Sequence, residues 1–321
     1  MTEPLRGVFL DLDSLHPQDL DLTALRDSLP DWEFFSQTAP EQVMQRIAGA
    51  RVVVTNKVRL NAAELGNAQA LGLVCVAATG TDNVDLAAAR QAGIAVSNAR
   101  DYATASVAEA VFAMLLTLVR QLDRYRAQVA AGAWSDSPYF CLFDTPIEEL
   151  FGKTLGIVGY GVLGRAVAQR AQAFGMQVQI AQRLVGEPLD GRLPLEQLLT
   201  TSDVVSLHCP LSDATRNLIG RRELQLMKRS AILVNTARGG IVDEPALVSA
   251  LDQGWIAGAA VDVLGQEPPA ADSPLVTCRS PRLVLTPHVA WASRSARQRL
   301  VGEIVENIEA FRRGERRNAL E

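Results

Sequence analysis

Three glycines carry the strongest chemical signal in this chain. Lys153 to Gly164 reads KTLGIVGYGVLG, in which Gly159, Gly161 and Gly164 close an apolar run and open a helical one. The first glycine of such a GxGxxG permits a tight turn, and the second lets backbone approach a pyrophosphate. The third lets the helix pack onto the strand. The helix follows from Arg165, its N-terminal amides would face the anion, and Val162 and Leu163 join the glycines as cofactor-binding candidates. With strand before and helix after, the spacing predicts dinucleotide binding rather than a plain glycine turn. The residue ending the next strand, about 20 positions on, selects the dinucleotide. Here it is Gln182, followed by Arg183. An acid there would accept ribose hydroxyls and repel a 2′-phosphate. Gln182 and Arg183 therefore point to NAD(P), with NADP(H) tolerated or preferred, and with Gln182 still able to meet ribose hydroxyls. The bland alternative is a solvated Arg183 beside a pocket that takes NAD.

Candidate acids and bases are few. Of the three histidines, His16 precedes Pro17 in a turn and reads as a surface residue. His208, in LHCP, and His288, in LVLTPHVAWAS, both follow strand patterns. Strand ends line the ligand crevice in open α/β sheets, yet each imidazole reads equally well as structural. Arg238, in ILVNTARGGIVDE, is an always-charged fork beside glycines, which suits a small carboxylate or a flexible turn. Glu267, in VLGQEP, reads as a candidate acid or as a solvated loop carboxylate. Their shared position at strand ends gives these weak signals joint weight. Cys75, Cys141, Cys209 and Cys278 are scattered without metal-ligand spacing, so no metal and no disulfide framework are expected.

The elements that must hold these groups form two alternating series. Strand patterns cover Gly7 to Leu12, Trp32 to Phe35, Arg51 to Thr55, Leu73 to Ala78 and Ile94 to Ser97. A second set covers Leu155 to Gly159, Val178 to Ala181, Val204 to Cys209, Ile232 to Thr236, Ala259 to Val263 and Leu283 to Thr286. Helical patterns between them predict α/β architecture with parallel sheets. One long helix is predicted from Ala103 to Val129, apolar on nearly every face in its first half, then an irregular arm from Ala133 to Leu150. An all-apolar helix must be covered by the chain's own core or by a second subunit. Ser293 to Arg313 reads as a last amphipathic helix.

Composition bounds the function. A chain of 321 residues suggests about two domains. A net charge of -5 with 5% aromatics argues against nucleic-acid binding. Polar and glycine residues interrupt the longest charge-free stretch, Leu65 to Thr81, which argues against a membrane span. The acidic start MTEPLRGVFLDLD lacks a signal-peptide core, so the cytoplasm is the default expectation.

Taken together, the motifs resemble the D-isomer-specific 2-hydroxyacid dehydrogenases along nearly the whole chain. The resemblance rests on ATGTDNVDLAAA (Ala78 to Ala89), SVAEAVFAMLL (Ser106 to Leu116), GYGVLGRAVAQRAQAFGM (Gly159 to Met176) and LHCPLSDATRNLI (Leu207 to Ile219). NTARGGIVDE (Asn235 to Glu244), AAVDVLGQEP (Ala259 to Pro268) and TPHVAWAS (Thr286 to Ser293) complete it. Within the family, the ATG turn, the arm and His-Val-Ala-Trp are similar to the glycerate dehydrogenase, or hydroxypyruvate reductase, group. The resemblance implies an NAD(P)-dependent enzyme acting on a small 2-keto or 2-hydroxy acid. It implies Arg238 on the substrate carboxylate and carbonyl, His288 as general acid and base, and Glu267 as its acidic partner. Thr79 and Gly80 match the turn whose amides hold that carboxylate. Thr236, Ala237, Asp262 and Val107 match positions on the nicotinamide side, and Cys209, Pro210, Thr215 and His288 also fall among its cofactor contacts.

Such a reaction places negative charge on the carbonyl oxygen, for which a proton donor and a fixed cation are the required groups. The anion of Glu267 would favour the imidazolium of His288. The expected architecture is two Rossmann-like domains, the substrate domain discontinuous: 1–98 with 291–321 for substrate, and 99–290 for the dinucleotide, with the active site in the cleft between. A homodimer is expected through the apolar helix and the arm. Relatives that sense NAD(H) as corepressors and those that oxidise formate are the rivals. Retained Arg238, Glu267 and His288 argue against the first, and Glu267 in place of Gln against the second.

Overall fold

The structure, a computed structural model, describes residues 5–320. The chain divides into two compact units, one made of residues up to Ala103 and from Ala292, the other of Thr104–Trp291.

In the first unit, five parallel strands lie in the order β2-β1-β3-β4-β5. They are β1 (Arg6–Phe9), β2 (Asp31–Phe34), β3 (Val52–Thr55), β4 (Leu73–Val76) and β5 (Ala95–Asn98). β3 and β4 are buried along their whole length, VVVT and LVCV, because a parallel sheet is covered on both faces. On one face Val8, Val53, Val74 and Val96 pack with Val43, Ile47, Leu60 and Leu65. Against β4 and β5 lies the helix Arg294–Arg312, which buries Leu300, Val301, Ile304 and Ile308 on one stripe.

In the second unit, six parallel strands run β11-β10-β9-β8-β6-β7. These are β6 (Thr154–Val158), β7 (Gln177–Ile180), β8 (Val204–Leu207), β9 (Ile232–Asn235), β10 (Gly258–Val261) and β11 (Leu283–Leu285). Alternate residues serve opposite cores, as the two-residue period of a strand requires. Ile232 and Val234 face the helices Thr104–Val119 and Val162–Ala173, whereas Leu233 packs with Leu198, Leu224 and Leu247. The direction of strand addition reverses between β6 and β8, which sets the ligand crevice of such sheets at their carboxyl ends. Beyond β7 a parallel bridge, Ala181 to Leu193, extends the sheet.

One expectation about the apolar helix is corrected. It is two helices, Thr104–Val119 and Leu122–Ala130, meeting at 57°. Gln121 turns left-handed at φ 54°, and its side chain donates to the Leu118 carbonyl at 2.7 Å. The returning arm then supplies Glu148 N–H to the Val119 carbonyl at 2.9 Å, so tertiary contacts end the helix where no Gly or Pro does. The first helix is also covered by its own unit. Val107, Ala108, Val111, Phe112, Met114, Leu115, Leu118 and Val119 are buried, which leaves Ala105, Glu109 and Ala113 as its exposed positions. Exposed apolar side chains lie further on, Leu122 and Val129 in the second helix and, in the arm, Phe140 at 89% and Phe143 at 85% exposure. Among the described residues no single helix is long and apolar enough to cross a membrane.

Candidate active site

Gly159 follows β6 at φ 94°, and a Cβ there would lie 2.5 Å from the Cys209 amide nitrogen. The turn after β6 therefore touches the turn after β8, and no other residue type fits. At Gly164 a Cβ would meet the Gly159 carbonyl oxygen at 2.3 Å, so the helix Val162–Ala173 starts tight against the strand. Gly161 caps that helix with extended backbone, and nothing lies within 4 Å of its Cβ position. Two glycines close the turn and the middle one leaves it open in front of a helix N-terminus, which fits a pyrophosphate. Val162 is 42% exposed at this opening, with Leu163 behind it.

On the β8 side, Cys209 is buried and burial pushes its thiol up, while Pro210 is exposed. Thr215 Oγ1 donates to the Pro210 carbonyl at 2.7 Å and accepts from Ser212 N–H at 2.7 Å, which closes the loop between them. His208 bonds Ser206 Oγ through Nε2 at 2.8 Å and leaves Nδ1 buried without a partner. Burial lowers its pKa to about 4, so it is neutral near pH 7 and is no proton donor there.

The Gln182 side chain is engaged within the protein. Its Nε2 donates to the carbonyls of Leu189 (2.9 Å) and Arg192 (3.2 Å), and its Oε1 accepts from Leu189 N–H (2.9 Å). An amide has two N–H bonds, and both are used. Gln182 thus clasps the loop 183–192 shut, and the loop presents Arg183 to solvent. At its far end the Arg192 guanidinium lies 5.9 Å from the Tyr160 ring centroid in the glycine turn. Arg165 reaches the Tyr160 carbonyl at 3.4 Å.

The candidate chemical groups follow β9, β10 and β11. Asn235 accepts from Ala237 N–H at 3.1 Å and donates to the Arg238 carbonyl at 3.0 Å, a side-chain-built turn that lifts Arg238 off the strand. Arg238 Nη1 donates to the Ala237 carbonyl at 2.8 Å. Next to it, a Cβ on Gly239 would sit 1.9 Å from the Leu264 carbonyl oxygen. That backbone contact brings the Arg238 turn against the loop carrying Glu267. Glu267 Oε1 accepts from Leu264 N–H at 2.8 Å, and Oε2 lies 2.6 Å from His288 Nδ1. The imidazole is thereby held through Nδ1, which leaves Nε2 as its proton-transfer atom.

Asp262, buried just after β10, positions the segment of His288. Its Oδ1 accepts from Thr286 Oγ1 and from Val289 N–H at 2.9 Å, and its Oδ2 from Ala290 N–H at 2.9 Å. His288 itself sits left-handed at φ 53°, a conformation this anchoring sustains. Ser106 Oγ donates to the Ala290 carbonyl at 2.7 Å, tying the helix that carries Val107 to the same segment. Thr236 Oγ1 is buried without a hydrogen-bond partner beside Ala237, the kind of orphaned group that a bound ligand satisfies. In the first unit, Thr79 and Gly80 form the turn after β4, where Thr79 Oγ1 donates to the Ala99 carbonyl at 3.0 Å. Sequence reasoning missed Asn235, Gly239 and the anchoring by Asp262. An Asp inside the apolar run AAVDV was the available signal for the last.

Comparison with known proteins agrees with this geometry. The sequence profile described as "D-isomer specific 2-hydroxyacid dehydrogenase, NAD binding domain" matches residues 112–290. A glycerate dehydrogenase of Methylorubrum extorquens is 46% identical, over 98% of each chain. The chain belongs to the D-isomer-specific 2-hydroxyacid dehydrogenases. A further relative, the hydroxypyruvate reductase of Blautia hydrogenotrophica, is 36% identical over 97% of this chain and 98% of its own. Among solved structures, an acyclic imino acid reductase with NADPH and D-Arg superposes with a TM-score of 0.87 at 27% identity, covering 98% of this chain and 100% of that one. Like its family, this dehydrogenase is an NAD(P)-dependent oxidoreductase interconverting 2-keto and 2-hydroxy acids.

Proposed function

We propose that this dehydrogenase reduces small 2-keto acids, hydroxypyruvate and glyoxylate foremost, to the D-2-hydroxy acids with NADPH favoured over NADH. The observation that carries the chemistry is the 2.6 Å contact of Glu267 with His288 Nδ1 in a loop backed by the Arg238 turn. His288 Nε2 delivers the proton to the carbonyl oxygen as charge builds there. Glu267, fixed by Leu264 N–H, keeps the imidazole oriented. Arg238 binds the substrate carboxylate and offsets the developing oxyanion, and the Thr79–Gly80 amides are assigned to substrate binding as carboxylate donors. Bound nicotinamide supplies the hydride. The glycine turn and the helix starting at Val162 would hold its pyrophosphate, and the orphaned Thr236 hydroxyl supports a place for the nicotinamide end. The names of the relatives support the substrate class, and Arg183, with no acid at position 182, supports NADPH.

The protein works as a cytoplasmic homodimer in which the arm Ala133 to Leu150 supplies the contact. Its exposed Phe140, Phe143 and Tyr139 support a surface that a second copy covers. A screen of about ten 2-keto acids with both cofactors, followed at the nicotinamide absorbance band, tests the activity. His288→Ala should lower kcat by roughly 10²–10⁴-fold, the range for a lost proton donor. Arg238→Ala should lower kcat and raise KM together. Near-wild-type turnover in His288→Ala would overturn the mechanism.

A further inference from the structure

Helix Arg294–Arg312 carries a polar side chain in its buried stripe that the reaction does not use. Asn307 is 2% exposed and lies among Leu300, Ile304 and Ile308. A buried amide is costly unless its bonds are made, and here all are. Its Oδ1 accepts from Arg317 Nη1 at 2.7 Å and from Asn318 Nδ2 at 3.2 Å. Its Nδ2 donates to the Asn98 carbonyl at 2.9 Å and to Cys75 Sγ at 3.7 Å. Arg317 is in turn fixed by a bidentate pair with Glu303, at 2.7 and 3.0 Å. The segment that holds Arg317 also pairs with β5, through the antiparallel bridge of Ser97 with Ala319 and Leu320 N–H to the Val96 carbonyl at 2.9 Å.

The chain of bonds does not stop at Asn98. That side chain, buried in the first unit, donates from Nδ2 to the Thr79 carbonyl at 2.7 Å. Arg100 Nε steadies the other end of the same amide, donating to Asn98 Oδ1 at 3.3 Å. In a trans peptide the carbonyl of one residue and the N–H of the next share a plane and point opposite ways. Pinning the Thr79 carbonyl therefore fixes the direction of the Gly80 N–H, which makes no hydrogen bond among the described residues.

We propose that Asn98, Asn307 and Arg317 are positioning residues for the substrate: a hydrogen-bond relay from the segment after the last helix sets the Thr79–Gly80 peptide plane and so aims the Gly80 amide at the substrate carboxylate. This rests on the reading of that turn as the carboxylate holder. The relay acts on substrate binding, so its signature is a change in KM for the keto acid with cofactor affinity unmoved.

Three relay variants of the full chain test it, with Gly80→Pro as a fourth for the turn itself, each measured for hydroxypyruvate and glyoxylate KM and for NADPH Kd by nucleotide fluorescence. Asn98→Asp keeps the shape but replaces the donor facing Thr79 by an oxygen, and should raise KM at least tenfold. Arg317→Met, two bonds further out, should raise it three- to tenfold, while Arg317→Lys, which keeps one donor, should recover part of the loss. NADPH Kd should stay within twofold in all three, and thermal melting identifies any variant that has merely unfolded. Gly80→Pro deletes the amide itself. If it leaves KM unchanged, the reading of the turn fails and the relay with it. If it raises KM while the folded Asn98→Asp and Arg317→Met variants keep wild-type values, the turn stands and the relay alone is refuted.

Discussion

Gln182→Met is the perturbation on which the cofactor site turns. Methionine matches glutamine in length but offers no amide, so all three bonds across the 183–192 loop are lost. Each such bond is worth about 0.5–1.5 kcal/mol net. The freed groups are half-exposed and regain water, which puts the total near the low end, about 2 kcal/mol. That corresponds to roughly a thirtyfold shift towards the open loop, at about 1.4 kcal/mol per decade. The backbone bond from Gln182 N–H to the Leu193 carbonyl, 2.7 Å, keeps the neck closed, so the change stays local. Arg183 and Arg192 lose their fixed placement, and NADPH affinity should fall by up to that factor, whereas NADH, which needs neither guanidinium, should lose a few-fold at most. Fluorescence titration of both nucleotides measures this, and faster tryptic cutting after Arg183 reports the opened loop independently. Gln182→Asp should behave like the Met variant, because the shorter acid reaches neither Leu189 nor Arg192 and unclasps the same loop. Should Gln182→Met instead bind NADPH normally and resist trypsin, while Gln182→Asp turns cleanly to NADH, the side chain would be meeting ribose after all.

Other perturbations test other parts of the frame. Gly164→Ala drives a methyl into the Gly159 carbonyl, an overpacking of about 1–3 kcal/mol that should weaken NADH and NADPH alike in the same titration. His208 has a native pKa near 4 against 6.5 unperturbed, so the unfolded chain takes up a proton first as pH falls. Its contribution is full above pH 6.5 and is lost between about 6.5 and 4, reaching roughly 3 kcal/mol. Denaturant midpoints at pH 7 and 4.5 should therefore differ less in His208→Gln than in the wild type. Phe140→Asp with Phe143→Asp should convert the proposed dimer to a monomer of half its mass by light scattering, and an unchanged mass would remove the arm from the interface.

How much of this was legible in the sequence depends on the range of the forces involved. Strand and helix positions were written in local periodicity, and the structure shifts most strand ends by only a residue or two: Leu155 to Gly159 became Thr154–Val158. The glycine turn was legible for the same reason. GxGxxG encodes backbone geometry, and geometry at Gly159 and Gly164 leaves no room for another residue. The types of Arg238, Glu267 and His288 were visible as well, since only a few side chains carry a fixed charge or titrate near neutrality.

What sequence could not decide is where a side chain spends its hydrogen bonds. Gln182 looked outward by position and turned out to be a clasp, because its partners at Leu189 and Arg192 lie across a loop whose closure no local pattern records. Asp262 also anchors the Val289 and Ala290 amides, partners its place in the AAVDV run did not record. The long apolar helix broke at Gln121 because Glu148, 27 positions away, caps Val119. Residue type fixes which bonds a group is able to make, and local periodicity fixes the element it rides on. Its actual partner comes from a distant part of the chain, so that choice belongs to the tertiary structure alone.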